Sequence, residues 1–425
     1  MTFFSRKDVC KAPVFVWIIL SLTAVLTLFS IYFFLLTGKN DVCAFKNLKR
    51  ANYIHFYNGG KIIASKNRTL LYDKSFFEKE IADKYKEVEL PKNEYIFYNP
   101  LTYYIFVPFS IFSFNLSLFI YASFLIILYL VSIVLLIKTF RRLFKYRFLI
   151  LLLSLIFPPF IISFFSGQPS VIWLFIFALS FYFSKKDKIF LSGILLSALL
   201  LKINFYIIIF IIILFSFRPK LLLGFVLGSF SLIIVSGVFD SFVLWKEWID
   251  YSLLSRFHNI YSLEENMLYR QHSVKSFFHL FYSTGSVGKV LSAVGLIVGI
   301  TSIIFPILYS IVHKSNFSRN SFWTTMILSL VLANPNTFDF DLIVLALPII
   351  VFFNYAIIDR ISGKNIIIMF SLFFAIVIVS SAVSFITRLQ LSVPIFYFFM
   401  VNSFLGVRIK EYFPKAYNAV WEDYK

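Results

Sequence analysis

The chain has 425 residues, of which 60% are hydrophobic, with a mean hydropathy of +0.84 and a formal net charge of +19. That composition excludes a water-soluble globular protein. The positive charge does not denote a nucleic-acid partner either, because Lys and Arg gather in short links between apolar runs, the pattern that encodes topology in a bilayer.

A hydrocarbon core of about 30 Å needs about 20 apolar residues per helix, and uncharged runs near that length recur along the chain. Spans are predicted at 12–37, 115–137, 148–165, 169–184, 189–202, 203–217, 221–239, 288–312, 321–334, 341–358, 365–386 and 391–407. The first run is too long for a signal-peptide core and has no small-residue cleavage site, so it reads as a retained first helix. The fifth and sixth runs are short, and read as tilted, as broken at Lys202-Ile203-Asn204, or as one re-entrant pair. The expectation is an all-α polytopic integral membrane protein of about twelve transmembrane helices, forming a single domain over residues 1–425. With only Cys10 and Cys43, and Cys10 in the expected cytoplasmic tail, no internal disulfide is expected.

Basic residues set the expected orientation. Lys138, Arg141, Arg142, Lys145 and Arg147 fill one link, and Lys185, Lys186 and Lys188 the next on that side. Arg218 with Lys220, Lys314 with Arg319, and Arg360 with Lys364 follow, so every second link and both termini are predicted to be cytoplasmic. The remaining links then face away from the cytoplasm. They comprise a long first loop (38–100), Ser166-Gly167-Gln168-Pro169-Ser170, Lys202 with Asn204, a second loop (240–287), Asn334 to Asp341, and Arg388. Nucleotide-activated substrates lie on the other side, so an enzyme working on this face must draw on a donor already carried across. The chain has neither a phosphate-cradling Gly-rich loop nor a Zn-type His cluster, in keeping with that inference.

Among the outward residues, the turn Asn334-Pro335-Asn336-Thr337-Phe338-Asp339-Phe340-Asp341 sits between uncharged runs. A carboxylate near a bilayer centre costs roughly 2.5–3.5 kcal/mol on insertion scales, so such residues face cavities or the membrane edge and mark function more often than packing. Asp341 reads as a catalytic carboxylate or, on equal terms, as a cap meeting the free N–H groups of a helix start. Asp339 and Asp341 together offer oxygen ligands to a divalent cation, too few to define a site, and no cofactor is expected. Lys202 interrupts an apolar stretch where an ammonium finds use against a phosphate, its plainer role being to snorkel to the interface. Arg388 reads first as an interfacial anchor, and Gln168 equally as a sugar ligand or part of a helix-entry turn. The Lys- and Glu-rich stretch 74–94 reads as an exposed helix face.

Several of these segments resemble a known family in their order. Asn52-Tyr53-Ile54-His55-Phe56-Tyr57-Asn58-Gly59-Gly60, running to Leu71-Tyr72-Asp73, resembles the first outer loop of glycosyltransferase family 87, a group of GT-C enzymes dependent on polyprenyl-phosphate sugars. Tyr98-Asn99-Pro100-Leu101 resembles its Tyr-Pro-Pro element, Gly167-Gln168 its Gly-Gln pair, Leu201-Lys202 its Lys-Pro element, and Pro335 to Asp341 its stretch ending in Tyr-Asp. Gln271-His272-Ser273-Val274 is similar to its Asn-Gln-Ser-Leu. The resemblance implies a GT-C-like fold and inverting transfer of a hexose or mannose-like sugar from a polyprenyl-phosphate donor to a hydroxyl on a lipid or glycan acceptor. Asp341 and Asn52 then become the catalytic candidates. His55, Tyr57, Tyr98, Asn99, Gln168, Lys202, His272, Asp339 and Arg388 become the substrate-binding candidates, with no metal set. Asn52 stands where such enzymes generally carry an Asp base. Either Asp41 or Asp73 serves instead, or Asp341 does, or the chain is a non-catalytic relative. A multi-span transporter or lipid flippase is the rival from another class, but the two similar six-span halves expected of one are not seen. An O-antigen polymerase or ligase ranks third, since its largest outer loop comes late in the chain.

Overall fold

The computed structural model describes residues 51–84, 98–240, 242–253, 265–281, 285–312, 318–358 and 379–411. The expected span 12–37 and most of 365–386 lie outside these residues, as do Asp41 and both cysteines. Among the described residues there is no strand, and extended pairing is limited to one antiparallel bridge between Gln271 and Phe338.

The first helices, α1 (Ala51–Ile63) and α2 (Lys74–Lys84), precede α3 (Pro100–Ser110). Next come α4 (Phe114–Thr139), α5 (Arg147–Leu155), α6 (Pro158–Ser166), α7 (Ser170–Lys185), α8 (Ile189–Ser197), α9 (Ile203–Phe215) and α10 (Pro219–Asp240). Two short helices, α11 (Val243–Trp248) and α12 (Val274–Phe281), follow. After them stand α13 (Gly285–Thr301), α14 (Ile304–Val312), α15 (Ser318–Ala333), α16 (Ala346–Ile358) and α17 (Ser392–Glu411).

Three stretches are long and apolar enough to cross a membrane, namely Phe114–Thr139, Pro219–Val238, and Ser286–Ile311, which α13 and α14 form together. A fourth arises if Arg141–Leu155 and Pro158–Ser166, bent by 48°, count as one. That bend falls where Pro158 and Pro159 supply no amide N–H, so the helical ladder cannot run through. The expected spans at 169–184, 189–202 and 203–217 appear as shorter apolar helices. α9, with 13 residues, is only about 20 Å long at 1.5 Å per residue. The chain is an integral membrane protein, built largely of helices interrupted near their ends.

The segment expected as the first outer loop is helical where described. α1 buries Tyr53, Ile54, Phe56 and Tyr57. A side chain at Gly60 would meet the Phe106 carbonyl oxygen at 2.8 Å, so α1 and α3 touch through backbone. The charged helix α2 buries Phe77 and Ile81 and carries Lys74 and Glu78 on its wet face, paired at 3.8 Å. α7 and α15 occupy the middle, with Phe177, Phe181, Met326 and Leu330 fully enclosed. α8 and α10 approach closely, because a Cβ at Gly193 would stand 2.2 Å from Leu221 O and one at Gly224 2.1 Å from Phe190 O. Small residues admit such backbone contact between apolar helices, where dispersion rather than water exclusion drives association.

Candidate active site

Lys202 sits at a break in the helical ladder. Residues Ala198–Leu201 form a 3-10 turn, Lys202 itself leaves helical geometry (φ −124°, ψ 87°), and α9 starts at the next residue. The break releases backbone carbonyls, which the α3 entry takes up. Asn99 Nδ2 donates to Leu200 O at 2.5 Å, and Thr102 Oγ1 donates to Leu201 O at 2.5 Å. The same Asn99 caps its own helix, its Oδ1 accepting from Thr102 N at 3.2 Å, with Pro100 at the first helical position where a missing N–H costs nothing. Tyr98-Asn99-Pro100 thus holds the bend that delivers Lys202.

Asp341 arrives from the other side. Thr337 Oγ1 donates to Val331 O at 3.1 Å and Asn334 O at 3.2 Å, which closes the turn after α15, and a 3-10 helix runs from Asp339 to Leu345. Asp341 Oδ2 accepts from Phe338 N at 3.4 Å, so the capping role exists. Its other oxygen accepts from the Lys202 ammonium in an ion pair and from Ser170 Oγ at 3.2 Å. Lys202 is 8% exposed and Asp341 1% exposed, and the ammonium lies 4.4 Å from the Phe205 ring centroid. Ser170 opens α7 after Gly167, whose φ of 69° is the left-handed geometry that ends α6 and that glycine adopts without a Cβ clash. Tyr98 OH reaches Gln168 Oε1 at 3.5 Å, its ring meets Phe56 edge-on at 4.9 Å, and its carbonyl accepts from Tyr72 OH at 3.0 Å. Five of the nominated residues, Tyr98, Asn99, Gln168, Lys202 and Asp341, therefore meet through direct contacts or immediate chain neighbours.

His272 and Asp339 form a second group across the same turn. Asp339 Oδ1 lies 2.6 Å from His272 Nε2 and accepts from Ser381 Oγ at 2.6 Å, and Oδ2 accepts from Arg270 Nε at 3.0 Å. His272 Nδ1 contacts Ser392 Oγ at 2.8 Å and Gln390 Nε2 at 3.0 Å. Burial pushes the Asp339 carboxyl up, but the His272 hydrogen bond and charge, Arg270 and Ser381 outweigh it and hold the group below the ordinary carboxylate value. With the Gln271–Phe338 bridge and His272 N donating to Thr337 O at 2.8 Å, the network latches the 265–281 segment to the turn that carries Asp341.

The other nominated residues have different surroundings. Asn52 is half-buried on α1, His55 stacks on Phe77 at 6.1 Å, and Tyr57 OH donates to Phe112 O at 2.8 Å. Arg388 is exposed, with φ 60° in the turn before α17. Asp73 caps α2, accepting from Phe76 N at 3.0 Å. Ser170, Arg270, Ser381 and Gln390 were not among the nominated residues. Ser170 adjoined the Gly-Gln pair, and Arg270 immediately precedes Gln271-His272, whereas Ser381 and Gln390 carried no local signal. Among the described residues, no three His, Cys, Asp or Glu side chains gather as a metal-binding set.

The model of glycosyltransferase family 87 matches residues 95–335, more than half of the chain. The chain belongs to glycosyltransferase family 87. No curated protein and no solved structure matches it. Family 87 membership makes it a membrane glycosyltransferase, acting between a sugar donor and an acceptor. The matched stretch includes Tyr98, Asn99, Gln168, Ser170, Lys202 and His272, and ends at Pro335, before Asp339 and Asp341.

Proposed function

We propose that this family 87 enzyme moves a hexose, of mannose-like type, from a polyprenyl-phosphate donor to a hydroxyl of a lipid or glycan acceptor, on the periplasmic face of a bacterial inner membrane. The observation that carries the reading is the convergence of Lys202, Asp341 and Ser170, from three separate helix starts, on one buried centre. Asp341 acts as general base: it takes the acceptor O–H proton while the acceptor oxygen bonds to the anomeric carbon. The bond from that carbon to phosphate oxygen breaks in the same displacement, and its electron pair leaves on polyprenyl phosphate, with inversion. Lys202 holds the departing phosphate, drawn there because an ammonium with little access to water gains most from an anion. Gln168 and Tyr98 line the approach of the sugar. Asn52 cannot serve as a base, so in this proposal the proton falls to Asp341. About twelve spans in a GT-C-like arrangement, with both termini cytoplasmic, complete the reading. The helix ends support that polarity: α7 begins at Ser170 beside Asp341 and ends beside the basic cluster of Arg319.

The test is transfer by purified protein in proteoliposomes, with labelled polyprenyl-phosphate hexoses or nucleotide hexoses as donors and lipid or glycan alcohols as acceptors. The expected result is product from a lipid-phosphate donor only, with inverted anomeric configuration. Use of a nucleotide donor, or retained configuration, would overturn the proposal.

A further inference from the structure

Two of the substrate-binding candidates, His272 and Asp339, have their polar atoms already engaged by protein. His272 is fully buried, and both ring nitrogens have partners: Nε2 meets Asp339 Oδ1 at 2.6 Å and Ser381 Oγ at 3.3 Å, and Nδ1 meets Ser392 Oγ at 2.8 Å and Gln390 Nε2 at 3.0 Å. Asp339 is buried too, and it accepts on Oδ1 from His272 and from Ser381 Oγ at 2.6 Å, and on Oδ2 from Arg270 Nε at 3.0 Å.

These contacts draw together three stretches far apart in the chain, at 269–273, 335–341 and 380–392. His272 N donates to Thr337 O at 2.8 Å, and Ser273 Oγ donates to Pro335 O at 3.2 Å. Ser384 Oγ donates to Tyr269 O at 2.7 Å, Gln390 Nε2 to Gln271 O at 2.7 Å, and Ser392 N to Ser380 Oγ at 2.9 Å. A buried polar network satisfied in this way selects one arrangement of the segments that supply it.

The turn it selects carries Asp341. Asp339 opens the 3-10 helix Asp339–Leu345, in which three residues complete a turn, so side chains two apart leave it in different directions. On one side Asp339 is gripped by Arg270, His272 and Ser381; on the other Asp341 meets Lys202 and Ser170. We infer that Arg270, His272 and Asp339 are positioning residues of the transfer reaction, a buried clamp that fixes the turn so that the Asp341 carboxylate faces Lys202 and Ser170. They act through Asp341 and touch neither donor nor acceptor. The consequence for rate rests on the reading of Asp341 as the base; the clamp itself does not.

The experiment compares wild type, His272→Ala, His272→Gln, Asp339→Asn and Arg270→Ala, each as the full chain in proteoliposomes at matched folded protein. One readout is the initial rate of transfer against donor concentration. The other, independent of turnover, is modification of Asp341 by dicyclohexylcarbodiimide, an apolar carboxyl reagent, located by mass spectrometry. A catalytic group displaced by about 1 Å loses rate of order a hundredfold without losing ground-state binding, so His272→Ala, Asp339→Asn and Arg270→Ala are expected to lower kcat by about tenfold or more with the donor KM unchanged. His272→Gln, whose amide N–H replaces Nε2 as donor to Asp339, recovers most of the rate. Asp341 is labelled several-fold more in His272→Ala than in wild type, and no more in His272→Gln. A raised KM with unchanged kcat, equal failure of the Gln and Ala variants, or Asp341 labelling unaltered in both His272→Ala and Asp339→Asn would overturn the clamp. The expected labelling pattern in a wild type that transfers no sugar from a lipid-phosphate donor would uphold the clamp and overturn the proposed reaction instead.

Discussion

Asp341 and Lys202 each occupy a place that a single charge would not tolerate, and the pair is stable because each answers the other. Removing one partner of a buried ion pair costs about 3–5 kcal/mol, whereas replacing both by apolar groups of similar volume is often neutral. Lys202→Ala is therefore expected to lower stability by about 3–5 kcal/mol, while Lys202→Met combined with Asp341→Leu recovers most of that loss yet transfers no sugar. Denaturation and turnover measured on the same preparations check both halves of this expectation. Asp339 offers a pH test. Its folded value lies below the ordinary 3.8, so its contribution is fully present above pH 3.8 and is lost as pH falls through the folded value. The melting-temperature advantage of wild type over Asp339→Asn should be constant above that pH and shrink below it. Lys202 and Asp341 were both legible in the sequence, since a charge inside an apolar run stands out whatever the fold. Ser381 and Gln390 were not, because a serine in an apolar run or a glutamine in a link is ordinary until its partner from another segment arrives.

Elements explain why these residues meet. The 3-10 turn at Ala198–Leu201 is invisible in hydropathy, because leucines fill it, whereas a break at Lys202-Ile203-Asn204 was among the readings the sequence offered. Only the carbonyl acceptors supplied to Asn99 and Thr102 make the break stable, and those donors lie about a hundred residues away. The bend of 48° at Pro158-Pro159 falls inside the stretch read from sequence as one span, 148–165. Residues 51–63 read as part of an outer loop, but their apolar positions pack on α3 as helix, while the helix face expected at 74–94 is seen as α2 over its described part. The α8–α10 contact gives a test at this scale. Gly224→Val forces branched carbon atoms where even a Cβ would lie 2.1 Å from Phe190 O, and overpacking of this kind costs about 1–3 kcal/mol. A lower melting temperature of purified Gly224→Val in detergent, with Gly224→Ala intermediate, checks it.

At the scale of the whole molecule, α7 begins beside the proposed site at Asp341 and ends beside the basic cluster of Arg319. The alternation of basic and polar links is the sequence feature behind the expected orientation, since Lys and Arg cluster regardless of how helices pack. Helix lengths were less legible, because a continuous apolar run such as 148–165 hides a bend, whereas the links at Gly167 and Lys202 were placed from the sequence. With Asp341 proposed as the base, a buried carboxylate paired with the Lys202 ammonium, the rate should depend on that carboxylate more than on any other acid described. The most direct measurement is the initial rate of sugar transfer by Asp341→Asn against wild type, in the same proteoliposomes and at matched folded protein. The account predicts a loss of about a hundredfold or more, in line with removal of a general base; a rate equal to that of wild type would contradict it.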